Sequence, residues 1–252
     1  MPVLRRTLRL GAVAALLWAP AWPAAAQAIP ADTAQQILQE LRAIRQMLEA
    51  QPRNAAARPA AAADDRVSIE FQPGALALGR ADAPLVMVEF TDYECPFCRQ
   101  FHLTSFEQIR RNYIDKGKVR YVSRDFPLDF HKNALRAAVA GRCGAEQAKF
   151  WELRHSMIVN AAKLQQDQIL DYAKNLGLDL GKFRHCMESG RLLAAVEQDM
   201  EQGRAAGVSG TPTFVIGRLL NGRLEGIRLV GAQPYMLFAA RLDAMLASVG
   251  AN

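Results

Sequence analysis

Residues 85–98 read LVMVEFTDYECPFC, and this stretch joins a strand pattern to a helix pattern. Leu85–Phe90 is a short, mostly apolar and partly β-branched run, which is typical of a strand buried on both faces and too short for a helix. Cys95–Cys98 (CPFC) follows after four more residues. Pro96 suits the first position of a helix, because its missing N–H would be unpaired there anyway. The apolar spacing beyond this point predicts that the helix continues (Phe101, Phe106, Ile109, Tyr113).

Cys95 is therefore predicted to lie where a strand ends and a helix begins. Free N–H groups and the positive end of the helix macrodipole stabilise a nearby anion, which lowers a thiol pKa and favours the thiolate nucleophile. Cys95 and Cys98 can form a disulfide with each other, so the pair can accept and donate two electrons. On spacing alone, half of a zinc site or an inert pair is also possible. The strand, the proline and the helix favour redox chemistry.

These residues resemble the thioredoxin superfamily, and within it the DsbA-like branch of exported thiol-disulfide oxidoreductases. A second motif, GVSGTPTF at residues 207–214, is similar to the cis-proline loop of that family. The resemblance extends from about Val67 to the C-terminus. It implies an α/β thioredoxin fold with a mixed sheet and a helical insertion at about residues 129–206.

The resemblance also implies roles for the CPFC residues and for the proline loop. Cys95 would be the exposed nucleophile and Cys98 the less exposed resolving thiol, while Pro96 and Phe97 would tune the potential and contact the substrate. A cis Thr211-Pro212 bond would bring the backbone beside the cysteines, where it can pair with a substrate peptide as an added strand. Taken alone, Thr-Pro-Thr is also compatible with an ordinary turn.

Glu89 is an acid inside the apolar strand, and burying a carboxylate is costly unless it has a role or a partner. It matches the buried acid that relays a proton to or from Cys98 in the family. An acid that faces solvent from an edge strand is the alternative.

Cys143 and Cys186 lie 43 positions apart and neither belongs to a CxxC motif. We expect a structural disulfide between them in an oxidising compartment. Free buried thiols remain an alternative, as does a metal site that includes His185. Neither a metal nor a cofactor is predicted.

The N-terminus has the pattern of a secretory signal peptide. Three arginines precede an apolar run at residues 10–19, and Ala26-Gln27-Ala28 supplies a cleavage site after Ala28. An uncleaved membrane anchor is the alternative. The net charge of +6 falls to +3 without residues 1–28, so the basic balance gives no reason to expect a nucleic-acid partner. Because the signal peptide predicts export, we expect the protein to be located in the periplasm.

Residues 29–51 are predicted to form an oligomerisation helix that begins with Asp32 at its N-cap. The apolar residues follow a heptad pattern, with leucine at a and isoleucine at d, which favours trimers or tetramers (Ala34, Ile37, Leu41, Ile44, Leu48). The helix could instead fold back on the catalytic domain. Residues 52–65, rich in alanine and proline, are predicted to be a linker.

Residues 66–252 are predicted to form the catalytic domain. Expected strands cover Val67–Phe71, Lys118–Phe126 and a hairpin around Asn221-Gly222, and a closing helix covers Gln233–Ala247. The insertion is expected to hold four clear helices, with Gly177 and Gly190 as stops (Lys132–Cys143, Ala145–Val159, Gln165–Leu176, Arg191–Arg204).

The predicted function is a thiol-disulfide isomerase or reductase that acts on cysteine-containing exported proteins and depends on a membrane redox partner. The heptads and linker resemble the trimeric suppressor-of-copper-sensitivity C proteins and favour a homotrimer. A monomeric DsbA-type oxidase is one alternative. A periplasmic copper- or zinc-binding carrier that uses Cys95 and Cys98 is the other.

Overall fold

The computed structural model describes residues 30–50, 65–71 and 76–249. The chain divides into two units, Met1–Arg58 and Pro59–Asn252, and the division falls within the predicted linker. The predicted signal peptide (1–28) and nearly all of the predicted linker (52–65) lie outside the described residues. In the described part of the chain, no helix is both long and apolar enough to span a bilayer.

The first unit contains helix α1 (Ala31–Ala50), which begins one residue before the predicted N-cap Asp32. The five apolar residues of the predicted heptad pattern are called the seam residues here. Two of them, Ile37 and Leu41, are 47% and 55% exposed, and the neighbouring Leu38 is 52% exposed. An amphipathic helix of this length gains most of its stability by burying its apolar face. The helix by itself does not bury these three side chains.

The second unit is built on a six-stranded mixed sheet in the order β1-β6-β5-β3-β4-β2. Its strands are β1 (Arg66–Glu70), β2 (Ala77–Leu78), β3 (Leu85–Thr91), β4 (Val119–Asp125), β5 (Thr213–Leu220) and β6 (Arg223–Val230). β3 runs parallel to β4 and antiparallel to β5. The α/β class and the strand predicted over Val67–Phe71 are confirmed, the latter as the edge strand β1, whereas the short strand β2 was not predicted.

Both faces of β3 are covered, which explains its continuous apolar sequence. Leu85 and Met87 pack into a core with Phe101 and Phe238, on the side of the active-site helix and the C-terminal helix. The alternate residues of the strand pack into a core on the opposite face (Val86, Val88, Phe90). Because side chains alternate along a strand, Glu89 faces the same side as Met87.

The helix after Cys95 contains two π-helical segments. It runs through α2 (Pro96–Phe101), a π-helical segment (His102–Phe106), α3 (Glu107–Ile109) and a second π-helical segment (Arg110–Ile114). The predicted apolar residues are all buried (Phe101, Phe106, Ile109, Tyr113). Phe101 and Phe106 are five positions apart, and the wider π-helical turn keeps both on the core face.

Five helices form the insertion, one more than predicted. They are α4 (Ala134–Ala145), α5 (Phe150–Val159), α6 (Gln166–Asn175), α7 (Leu180–Glu188) and α8 (Leu193–Ala205). The predicted helix Ala145–Val159 is wrong at its start, because Ala148 has a positive φ of 56° and the helix begins only at Phe150. α7 was missed although Asp179 caps it by accepting a hydrogen bond from the Lys182 N–H.

The chain closes with a hairpin and a helix. Asn221 and Gly222 have φ values of 50° and 78°, as a type I′ turn requires, so the predicted hairpin is confirmed. The last helix, α9, covers Tyr235–Val249, close to the predicted range.

Cys143 on α4 and Cys186 on α7 are joined by a disulfide with an S–S distance of 1.98 Å. Both residues are buried in the core of the helical insertion. Sulfur atoms in a disulfide are not available as thiolate ligands, which rules out a metal site at this pair in the oxidised protein.

Replacing both Cys143 and Cys186 with alanine is expected to lower stability without removing the chemistry at Cys95. In the chain-entropy model, a closed loop of about 44 residues contributes roughly 3–4 kcal/mol to the free energy of unfolding. Thermal unfolding of the variant and of the parent measures the loss, and exchange activity below the melting temperature is the control. An unchanged melting temperature would contradict the prediction.

Candidate active site

Cys95 is the N-cap residue of α2, with an extended backbone (φ −67°, ψ 121°). Asp92, buried in the loop after β3, holds this turn with its Oδ1 atom, which accepts hydrogen bonds from the N–H groups of Glu94 (2.7 Å) and Cys95 (3.2 Å). Its Oδ2 atom accepts from the Leu128 N–H and contacts His131 Nδ1, both at 2.8 Å. Asp92 was not predicted, although a short acid just before a helix start is a recognisable capping signal.

The expectation that Cys95 is exposed is wrong. Cys95 is 3% exposed and Cys98 is 1% exposed. The physical reason is the proline loop, because the carbonyl oxygen of Thr211 lies 3.2 Å from Cys95 Sγ and accepts a hydrogen bond from it when Cys95 is protonated. Pro96 and Phe97 are exposed instead, and Phe97 has an exposed fraction of 58%.

The Thr211-Pro212 peptide bond is cis, as the loop motif predicts. Thr211 is separated from Cys95 by 116 residues in the sequence, and the start of β5 brings the loop back to the active-site turn. Cys95, Cys98, Thr211 and Pro212 thus come together at one end of the sheet. Cys143 and Cys186 belong to the separate core of the insertion.

The two active-site sulfurs differ in acidity rather than in exposure. A hydrogen bond from the Cys98 side chain, aided by the backbone N–H groups of Cys98 and Phe97, lowers the pKa of Cys95 to about 6 despite its burial. Burial raises the pKa of Cys98 well above its ordinary value, and the Cys95 hydrogen bond and the charge of Glu89 act in the same direction. At neutral pH the reduced pair therefore holds a thiolate at Cys95 and a thiol at Cys98.

Alkylation of Cys95 in the reduced protein is expected to follow a titration with its midpoint near pH 6. The pKa of Cys95 in the folded protein lies below the unfolded value of 9.0. This thiolate therefore stabilises the reduced protein fully above pH 9, and the stabilisation is lost as the pH falls through about 6.

The rate of alkylation by iodoacetamide, measured between pH 4 and pH 10, gives the titration curve of Cys95. Cys98→Ala should move the midpoint upward, while Cys98→Ser keeps a donor and serves as the control. A midpoint that is the same in both variants would contradict the assigned hydrogen bond.

Glu89 is fully buried on β3, so the alternative of an edge-strand acid that faces solvent is wrong. Its Oε2 atom accepts a hydrogen bond from the Tyr121 hydroxyl and one from Arg154 Nη2 at 2.5 Å. Arg154 is also fully buried, and its guanidinium lies over the rings of Phe106 and Trp151. The buried carboxylate thus has a cationic partner at Oε2, whereas its buried Oε1 atom has no hydrogen-bond partner among the described residues.

A chain of hydrogen bonds leads from this ion pair to the surface. Arg154 Nη1 lies 3.0 Å from His102 Nδ1, and His102 Nε2 lies 3.0 Å from Nδ1 of the exposed His155. Burial and the charge of Arg154 lower the pKa of His102 to about 3, so His102 is neutral. Arginine can only donate, so His102 Nδ1 accepts and His102 Nε2–H donates to His155.

Sequence reasoning missed Arg154 and Tyr121. Arg154 lies among apolar residues that form the buried face of α5 (Leu153, Met157, Ile158). A cation on an apolar helix face is a signal that a buried acid lies nearby. The position of Arg154 among apolar residues is visible in the sequence, but it does not show that Glu89 is the partner.

A family model described as thioredoxin, Thioredoxin_4, matches residues 72–222. Part of the chain is also similar to curated proteins. It is 38% identical over 146 residues to the Na(+)/H(+) antiporter NhaA 3 of Salinispora tropica, and this match covers 58% of the chain and 21% of the antiporter. The chain therefore spans about a fifth of the length of the curated relatives it matches.

Several solved structures share the fold. Alpha-DsbA1 of Wolbachia pipientis has a TM-score of 0.63 at 23% identity, over 71% of this chain and 94% of that chain. BdbD of Bacillus subtilis has a TM-score of 0.62 at 23% identity, over 73% and 99%. The catalytic domain of Proteus mirabilis ScsC has a TM-score of 0.57 at 24% identity, over 70% and 92%. At these identities the likeness shows the fold alone.

Proposed function

The chain belongs to the thioredoxin family, and from that premise we propose that it is an exported thiol-disulfide oxidoreductase of the DsbA-like type. Its substrates are cysteine-containing exported proteins, and its compartment is the periplasm. The observation that carries the proposal is the pairing of a low pKa at Cys95 with a high pKa at Cys98, next to the cis Thr211-Pro212 loop.

The exchange proceeds in two thiolate attacks. In the reducing direction, the Cys95 thiolate attacks one sulfur of a substrate disulfide, so a mixed disulfide forms and the other substrate sulfur leaves as a thiolate. Cys98 then loses its proton and attacks Cys95, which closes the Cys95–Cys98 disulfide and releases the second substrate thiolate. The substrate gains two electrons and the protein loses them. The reverse sequence oxidises a substrate dithiol.

Glu89 and Arg154 support the resolving step. The charge of Glu89 contributes to the raised pKa of Cys98, and the buried Oε1 atom of Glu89 has no hydrogen-bond partner among the described residues, which supports a role for this oxygen in moving the proton that Cys98 must lose. Arg154 supplies the counter-charge and the hydrogen bond that fix the carboxylate. In this proposal Glu89 relays the proton and Arg154 is a positioning residue.

The proline loop binds the substrate backbone. Cys95, Thr211 and Pro212 are buried, so an approaching substrate first meets the exposed Pro96 and Phe97. An extended peptide that pairs with the loop backbone as an added strand would bring its own sulfur to Cys95.

We further propose that the protein is an isomerase or reductase with four parts: a signal peptide (1–28), an oligomerisation helix (29–51), a linker (52–65) and a catalytic domain (66–252). The half-exposed seam residues Ile37 and Leu41 support assembly as a homotrimer. Several active sites on one assembly raise the effective concentration of thiols around one misfolded substrate. A membrane redox partner must keep the cysteines reduced for this role.

Two assays on one preparation test the function. Refolding of scrambled ribonuclease measures isomerisation, and oxidation of a reduced dithiol peptide measures oxidase activity. We expect the first to be the stronger activity. Strong peptide oxidation with no ribonuclease refolding would favour the oxidase alternative, and the absence of both would overturn the proposed function.

A further inference from the structure

A cavity of about 700 Å³ opens beside Cys95, and we call it the insertion groove. Pro96 and Arg99 of α2 form one part of its lining, Phe130 and Lys132 before α4 form another, and residues 159–163, from the last residue of α5 onward, complete it. Its volume lies within the range of roughly 300–1,000 Å³ that is usual for ligand sites. A substrate whose sulfur reaches Cys95 therefore has a groove next to it.

Three cations line the insertion groove: Arg99, Lys132 and Lys163. The acid among its lining residues, Glu94, is already engaged, since Oε2 accepts from the Asn133 N–H (2.6 Å) and Oε1 from Asn133 Nδ2 (2.9 Å). Within residues 30–50, 65–71 and 76–249, the amines of Lys132 and Lys163 have no ion-pair partner. Asn133 is neutral, so Glu94 keeps its charge and offsets one of the three cations, and the groove retains a net positive charge.

The insertion groove also offers an apolar contact. Phe130 is 75% exposed although it is a large aromatic side chain, and Val159, Ala161 and Ala162 also line the groove. An exposed aromatic residue beside a reactive centre is typical of a recognition anchor. Arg99 Nε donates to the Val159 carbonyl at 3.4 Å, which links two parts of the lining.

We infer that the insertion groove binds the substrate segment that flanks the reacting cysteine, and that it selects segments carrying acidic and apolar side chains. The inference rests on the proposed function and adds the substrate class to it. Pairing with the proline loop uses backbone atoms and is indifferent to sequence. Discrimination between substrates then comes from the charges of Lys132 and Lys163 and from the Phe130 ring.

Three cysteine peptides of equal length test the inference, with the cysteine flanked by glutamate and leucine, by glutamine and leucine, or by lysine and leucine. The measurement is the rate constant for reduction of the Cys95–Cys98 disulfide in the mature full chain, followed by acid quench and mass spectrometry. We expect the glutamate peptide to react about 3–10 times faster than the lysine peptide at low salt, because exposed charge pairs give differences of this size. Added salt should reduce the ratio of the two rates, because it screens interactions between exposed charges.

The variant K132E/K163E should react faster with the lysine peptide than with the glutamate peptide. K116E/K174E is its matched control, because it makes the same charge change at exposed lysines that do not line the groove. If K132E/K163E fails to fold, K132Q/K163Q should still abolish the preference. Phe130→Ala should slow all three peptides, since each carries leucine.

Equal rates for the three peptides would overturn the inference while leaving the proposed function intact. The same reversal in K116E/K174E would also overturn it, because net charge would then be the cause. A change of oligomeric state confined to K132E/K163E would mean that a second copy of the chain fills the groove, and would overturn it too. Failure of the proposed function looks different, since no peptide would react.

Discussion

Replacing Cys95 with alanine is expected to abolish thiol-disulfide exchange, and replacing Cys98 with alanine is expected to trap substrates as mixed disulfides. Cys95 holds the thiolate at neutral pH, because its pKa is about 6 while the pKa of Cys98 lies well above the ordinary value. Without Cys95 only the buried Cys98 remains in the site, and its raised pKa keeps it a thiol at neutral pH. Without Cys98 the first attack still occurs, but no internal thiol resolves the product.

Reaction with an exported substrate protein, followed by non-reducing mass spectrometry, measures both effects. Cys95→Ala should show no adduct and a rate equal to that of the buffer. Cys98→Ala should accumulate an adduct that dithiothreitol releases. C143A/C186A provides the control for loss of a cysteine pair outside the site. Retention of most of the activity in Cys95→Ala would mean that another thiol is the nucleophile.

Deleting residues 29–65 is expected to give a monomer that still exchanges disulfides but loses isomerase activity. The seam residues Ile37 and Leu41 are about half exposed, and each such side chain contributes about 1.5–3 kcal/mol when it is fully buried. Five seam residues in each helix can together offset an association cost of roughly 4–15 kcal/mol. Light scattering measures the mass, and the two assays of the proposed function measure the activities.

A second variant keeps the helix and changes only its seam residues, so it tests whether the seam itself causes assembly. I37E/L41E adds two charges on the seam, while Q36E/Q39E adds the same charges at heptad positions away from it. We expect the first variant to be monomeric and the second to assemble like the parent. A parent protein that is already monomeric at micromolar concentration would contradict the assembly, and the oxidase alternative would then be preferred.

Local patterns in the sequence were sufficient for the elements that depend on near neighbours. The junction at Cys95 and the hairpin at Asn221-Gly222 follow from alternation, from proline and glycine positions and from helix-start signals that span a few residues. The covered strand β3 was also predictable, because a run of apolar side chains leaves no face that favours solvent. The helix boundary at Ala148 was not, since its positive φ has no marker such as glycine.

The environment of the reactive groups depended on contacts between distant parts of the chain. Cys95 is covered by Thr211, which lies 116 residues away, and Glu89 is paired with Arg154, which lies 65 residues away. The sequence predicted Cys95 as the nucleophile and Glu89 as a buried acid by type and position, and the structure places Glu89 in the core. The tertiary structure gave them their burial and their distant partners: the proline loop covers Cys95, α5 brings Arg154 to Glu89, and burial raises the pKa of Cys98. The physical reason is that desolvation and Coulomb interactions depend on distance in space, whereas periodicity and capping signals report only on neighbours along the chain.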